Sequence, residues 1–110
     1  MKVGLLRCMQ TEDMCPASTD FAVMKNKKGA FESIDGDIEV IGVNTCGGCP
    51  GKKAVTRAQE MVKRGADTIV LASCITKGNP IGFACPNAQK IKEAIKMKLG
   101  DTIRIIDYTH

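Results

Sequence analysis

Four short apolar runs, at residues 2–9 (KVGLLRCM), 38–44 (IEVIGVN), 67–73 (DTIVLAS) and 102–107 (TIRIID), punctuate this chain, and segments between them carry helical periodicity. Apolar runs of this length, several rich in β-branched residues, read as buried strands. Ala17, Phe21 and Met24 recur at helical spacing behind Pro16. Ala54, Val55, Ala58, Met61 and Val62 mark one face of a helix that runs from the turn at 46–51 to about Arg64, with Gly65 as its stop. Ala88, Ile91, Ile95 and Leu99 mark the inner face of a third helix, begun at Pro86 or Asn87 and closed by Gly100. Residues 25–37 and 74–86, the latter with Gly78, Pro80 and Gly82, read as loops. The resulting β-α-β-α-β-α-β order predicts an α/β fold, a parallel sheet with helices on both faces. Right-handed crossovers leave few topologies, and the flavodoxin-like (Rossmann-like) order 2-1-3-4 is expected. The 110 residues suffice for one core, so 1–110 is read as a single domain with four parallel strands and three helices. Its expected core is Val3, Leu5, Ile41, Val43, Ile69, Leu71, Ile103 and Ile105.

The six cysteines and the single histidine acquire meaning on that outline. Cys8 ends the first strand, Cys15 precedes the first helix, and Cys46 and Cys49 lie between the second strand and second helix. Cys74 follows the third strand, Cys85 precedes the third helix, and His110 follows the fourth strand. In a parallel sheet these positions share the carboxyl edge, where open α/β folds bind ligands. Cysteines used as small hydrophobes sit inside strands and helices instead. In the order 2-1-3-4 the strand tips carrying Cys46, Cys8 and Cys74 are consecutive. Neighbouring tips are about 4.8 Å apart, and sulfurs sharing a zinc ion lie roughly 4 Å from one another. Helix N-termini beside Cys15, Cys49 and Cys85 favour thiolates, and Arg7, Lys52 and Lys53 add positive charge. The glycines of Cys46-Gly47-Gly48-Cys49 let both sulfurs face one point.

Other readings are weaker. The start of the chain has no long apolar stretch or small-residue cleavage site, and no run reaches the ~18 residues of a membrane span, so a cytoplasmic protein is expected. Cysteines in a reducing compartment point to metal or redox chemistry rather than to structural disulfides. The net charge of +4, much of it from Lys25, Lys27, Lys28, Lys90, Lys92, Lys96 and Lys98, reads as a solvated face. No nucleic-acid reading motif accompanies it, and aromatics are only 4% of residues, which argues against base stacking. The segment from Gly47 to Lys53 fails the phosphate-loop pattern, because Cys46 replaces its first glycine and Lys53 its magnesium-binding hydroxyl.

The segment Thr45-Cys46-Gly47-Gly48-Cys49-Pro50-Gly51, with Arg7-Cys8, Cys15-Pro16, Ser73-Cys74 and Cys85-Pro86, resembles the CGGC-domain family, small proteins considered metal-binding. The resemblance covers essentially the whole chain. It implies a metal site, commonly zinc, built from cysteines and histidines, and no known reaction. Asn87 stands where the family tends to carry a histidine after Cys-Pro, and Tyr108 where it tends to carry a glycine before Thr-His.

The expectation is therefore a metal-binding protein holding zinc or an iron–sulfur cluster. Cys46, Cys49, Cys74 and Cys85 are its first ligands, Cys8 the next, then Cys15 and His110. Seven candidates exceed one tetrahedral shell, so some stand behind the others or more than one metal binds. The alternative is a thiol–disulfide or persulfide oxidoreductase using the Cys46-x-x-Cys49 pair. A carrier that hands metal or sulfur to a partner protein would need the same accessible site.

Overall fold

The computed structural model describes residues 1–78, 82 and 84–110. Four parallel strands, β1 (Lys2–Arg7), β2 (Glu39–Thr45), β3 (Thr68–Leu71) and β4 (Arg104–Ile106), form one sheet in the order β2-β1-β3-β4. The expected 2-1-3-4 topology is the observed one. Val3 to Leu6 of β1 pair with Thr68 to Leu71 of β3 on one side. On the other side β1 pairs with β2, and the register slips between Val3 and Gly4.

The helices are α1 (Ser18–Lys25), α2 (Lys53–Lys63), a single turn α3 (Ser73–Thr76) and α4 (Ala88–Leu99). They divide the side chains of each strand between two cores, as the pleat requires. One core gathers Val3, Leu5 and Val70 with Met24 of α1, Phe31, Ile34 and Ile75. The other gathers Leu6, Ile69 and Leu71 with Ala54, Ala58 and Met61 of α2 and Ile91 and Ile95 of α4. So α2 and α4 share one face, as expected. Gly4 lets α2 come close to the sheet: a Cβ there would lie 3.0 Å from Met61 Cβ.

Several expectations are corrected. The first helix starts at Ser18 rather than Pro16, because Ala17 adopts a left-handed backbone (φ 67°) and cannot begin a helix. Within α1 the residues facing the sheet are Asp20 and Met24, and Phe21 is exposed. Val43, expected in the core, is 44% exposed, and Ile41 is only half-buried. β2 is an edge strand, and helices cover its outer part incompletely. Ile103 and Ile105, near the opposite edge, are likewise half-buried. The loop read at 74–86 begins as the helical turn α3. Its positions 79–81 and 83, Pro80 among them, lie outside the described residues.

Candidate metal centre

Three of the four strands hand the chain over to the carboxyl edge at or close to a cysteine, and β4 leads instead to His110. β1 ends at Arg7, and Cys8 follows, nearly buried. The backbone N–H of Cys8 donates to Cys74 Sγ at 3.1 Å. Cys74 sits in α3, directly beyond β3, and is also buried. β2 ends at Thr45, and the N–H of Cys46 donates to the Arg7 carbonyl at 2.8 Å, which extends the pairing by one residue past the strand. Gly47 and Gly48 then take positive φ (80° and 102°), a conformation that side-chain-bearing residues rarely adopt. They turn the chain so that Cys46 points inward, 6% exposed, while Cys49 faces solvent. Arg57 of α2 holds this turn with hydrogen bonds to the Thr45 carbonyl (3.1 Å) and Thr45 Oγ1 (2.9 Å). Cys85 is half-buried before α4, its N–H bonded to the Ile75 carbonyl at 2.8 Å and its sulfur accepting from the Asn87 N–H at 3.4 Å.

Four of the seven predicted residues line one cavity of about 110 Å³: Cys8, Cys49, Cys74 and Cys85, with Gln10, Ala84 and Pro86. A second cavity, of about 170 Å³, takes Cys15 and His110 with Asp20 at the N-terminal end of α1. Cys74 lines both. Cys46 lines neither; it packs into the α2–α4 core and lies within electrostatic reach of Cys8. The cysteines thus do share one edge, but they divide around two spaces with Cys74 between them.

Burial dominates the electrostatics of the two inner thiols, Cys8 and Cys74, and disfavours their ionised forms. Burial pushes the Cys8 thiol above its ordinary value, and the nearby Cys46 and Cys85 sulfurs push the same way. Backbone donors at Gln10 and Thr11 offset part of this. Burial raises Cys74 also, against the Cys8 N–H and the Thr11 hydroxyl. A cation among these sulfurs would reverse the balance, since a coordinating thiol is deprotonated outright.

Asp20 is a buried carboxylate at this edge that the sequence reading missed. It is 2% exposed and accepts a short hydrogen bond from Thr109 Oγ1. His110 Nε2 stands 3.8 Å from the same carboxylate oxygen. Buried Ser73 completes the network, its Oγ accepting from the N–H groups of Thr109 and His110, both at 3.0 Å. An acidic residue in the first helical turn normally signals dipole compensation at the surface, so nothing in the sequence marks Asp20 as buried.

The donor set is that of a soft or borderline metal: thiols with N–H donors on two sulfurs. The arrangement is open. Among the described residues, no three cysteine, histidine, aspartate or glutamate side chains stand close enough to grip an ion as they are. Ligation therefore requires the loops to draw in. Also among the described residues, no helix is long and apolar enough to cross a membrane.

Fold and site together define a doubly wound α/β protein with its cysteines displayed at the carboxyl edge of the sheet. The chain belongs to the CGGC domain family, which matches residues 2–110. It is 35% identical over 80 residues to uncharacterized protein MJ0582 of Methanocaldococcus jannaschii, covering 67% of this chain and 62% of that protein. It is 39% identical over 59 residues to uncharacterized protein MJ0766 of the same organism, covering 53% of this chain and 83% of that one. The chain thus spans less than two thirds of the length of the first of these relatives. No solved structure matches it.

Proposed function

We propose that this protein holds a metal through the thiolates of Cys8, Cys49, Cys74 and Cys85. The observation that carries this reading is that these four thiols, from four separate segments of the carboxyl edge, line one cavity. Zinc is the first expectation, because four thiolates complete its tetrahedral shell. An iron–sulfur cluster uses the same four ligands. Zn–S bonds of about 2.3 Å require the sulfurs to close inward. The Gly47-Gly48 turn and the start of α4 carry the two outer thiols, Cys49 and Cys85, which supply that movement. Cys46 lies behind Cys8. Cys15 and His110 belong to the neighbouring cavity and join only if a second metal binds there.

Anaerobic purification with elemental analysis and an absorption spectrum tests the proposal. Near-stoichiometric zinc without colour, or iron with sulfide and broad visible absorption, is the expected result. The double variant Cys49→Ser, Cys85→Ser should lose most of the bound metal, because the serine hydroxyl stays protonated and ligates such metals poorly. Full metal content in that variant would overturn the ligand assignment.

One observation favours a second reading. Cys49 is exposed and Cys46, three residues earlier, is buried, so Cys49 could open an exchange that Cys46 then resolves. A metal-free protein whose Cys46 and Cys49 cycle between dithiol and disulfide would select the redox function instead.

A further inference from the structure

Among the described residues, Cys74 alone lines both cavities. On one side it stands with Cys8, Cys49 and Cys85, and on the other with Cys15. Thr11 ties Cys15 to Cys74. It is fully buried, its carbonyl accepts the Cys15 N–H at 2.8 Å, and its hydroxyl stands beside the Cys74 sulfur. Residues 12–14 and 16 are exposed, so the chain carrying Cys15 is anchored by buried Thr11 behind it and buried Ala17 ahead. Cys15 is half-buried, whereas Cys74 is 3% exposed. Of the two thiols in this cavity, a reagent from solvent therefore reaches Cys15 first, and the second thiol it brings into play is Cys74. Cys8, the other inner thiol, turns its backbone N–H toward Cys74 Sγ and lines only the four-thiol cavity.

We propose that the second cavity is a site of modification by low-molecular-weight disulfides, with Cys15 the attacking thiol and Cys74 the resolving one. Cys15 Sγ bonds to one sulfur of R–S–S–R, that S–S bond breaks, and the departing thiolate takes up the proton that Cys15 released. Cys74 Sγ then attacks Cys15 Sγ. The second R–S group leaves with the Cys74 proton, and a Cys15–Cys74 disulfide remains. Two protein thiols are oxidised and one small disulfide is reduced to two thiols. The cavity, about 170 Å³, selects a small R group. The exposed segment around Cys15 supplies the movement that brings the two sulfurs to bonding distance. A sulfur held in a disulfide no longer ligates as a thiolate, so the reaction takes Cys74 out of the four-thiol set. That last consequence rests on the metal reading given above; the disulfide itself does not.

The bond and its consequence are tested separately. Reduced, metal-free Cys49→Ser protein, which lacks the exposed rival thiol, is treated anaerobically with 2-hydroxyethyl disulfide. Unreduced peptides are then mapped after cleavage at Glu12, which separates Cys8 from Cys15. The expected product is a Cys15–Cys74 link that follows a transient 2-hydroxyethyl adduct on Cys15. Removing Cys74 as well, by Cys74→Ser, should make that adduct persist. Cys74 linked to Cys8 or Cys85 would overturn the proposal, and so would an adduct that stays on Cys15 while Cys74 remains free. For the consequence, wild-type and Cys15→Ser proteins are loaded with cobalt(II), which occupies Cys49 and leaves Cys15 as the accessible thiol. On addition of the same disulfide the wild type should lose its thiolate-to-cobalt absorption, and dithiothreitol should restore it. Cys15→Ser should load equally and keep the band over the same interval. Equal loss in both proteins would overturn the link between the cavities. If the reduced wild type gives no thiolate-to-cobalt band, the metal reading falls, and the peptide map alone decides the Cys15–Cys74 bond.

Discussion

Thr109 is the residue on which the chain's last turn depends. It is fully buried, donates to Asp20 and meets both polar groups of Ser73. Thr109→Val keeps the shape and removes the hydroxyl, leaving a buried carboxylate short of its donor. The expected loss is about 2 kcal/mol, the value of a hydrogen bond to a charged group, read from urea unfolding of the reduced protein. His110 offers a sharper distinction. It lines the cavity of Cys15 and Asp20 rather than that of the four thiols. His110→Ala should therefore leave the metal content unchanged. A loss of metal in that variant would move the centre to the second cavity. Neither role could be read from the sequence, where Asp20 looks like a surface helix residue and His110 like one more edge ligand.

Among the elements, the turn leading into α2 is tightly constrained. Gly51 has φ 89°, and a Cβ there would run into the Ile91 side chain of α4. Gly51→Ala should cost about 1–3 kcal/mol, the scale of a residue forced into a disfavoured backbone region. It should also separate α4 from the turn, and thermal unfolding of the reduced protein measures the cost. At the amino end of the sheet, Asp67 ties β3 to β1. The Thr68 hydroxyl (2.9 Å) and the Lys2 N–H (3.0 Å) hold its carboxyl below the ordinary value near 3.8. A depressed folded value stabilises above the unfolded one, so this contribution is complete above about pH 3.8 and disappears as pH falls through the folded value. Asp67→Asn should flatten the acid limb of the stability profile below pH 4 while leaving its alkaline limb unchanged. The elements themselves were largely legible. Ala54, Ala58 and Met61, and likewise Ile91 and Ile95, face the core as their spacing predicts. Phe21 and Val43 were not legible, because apolarity and period do not say which side of a short helix or an edge strand the rest of the fold covers.

For the molecule as a whole, the sheet core and the cysteine edge are separable. The two apolar cores run through strands and helices that do not depend on the thiol cavity for most of their burial. Chelation under reducing conditions should therefore leave β1 and β3 protected from hydrogen exchange while residues 9–16, 45–51 and 74–78 lose protection. Global unfolding on chelation would instead make the metal a structural requirement, as in a zinc finger. The position of the cysteines at one edge was legible, since it follows from strand order alone. Their division around two cavities was not, since it depends on which way each side chain leaves its loop. The contact between Cys8 and Cys74 spans 66 residues of chain. A growing polypeptide therefore exposes Cys8 and Cys49 well before Cys74 and Cys85 have left the ribosome. For that interval two of the four cavity thiols have no partners to pack against, and the cavity can close only after synthesis has passed Cys85.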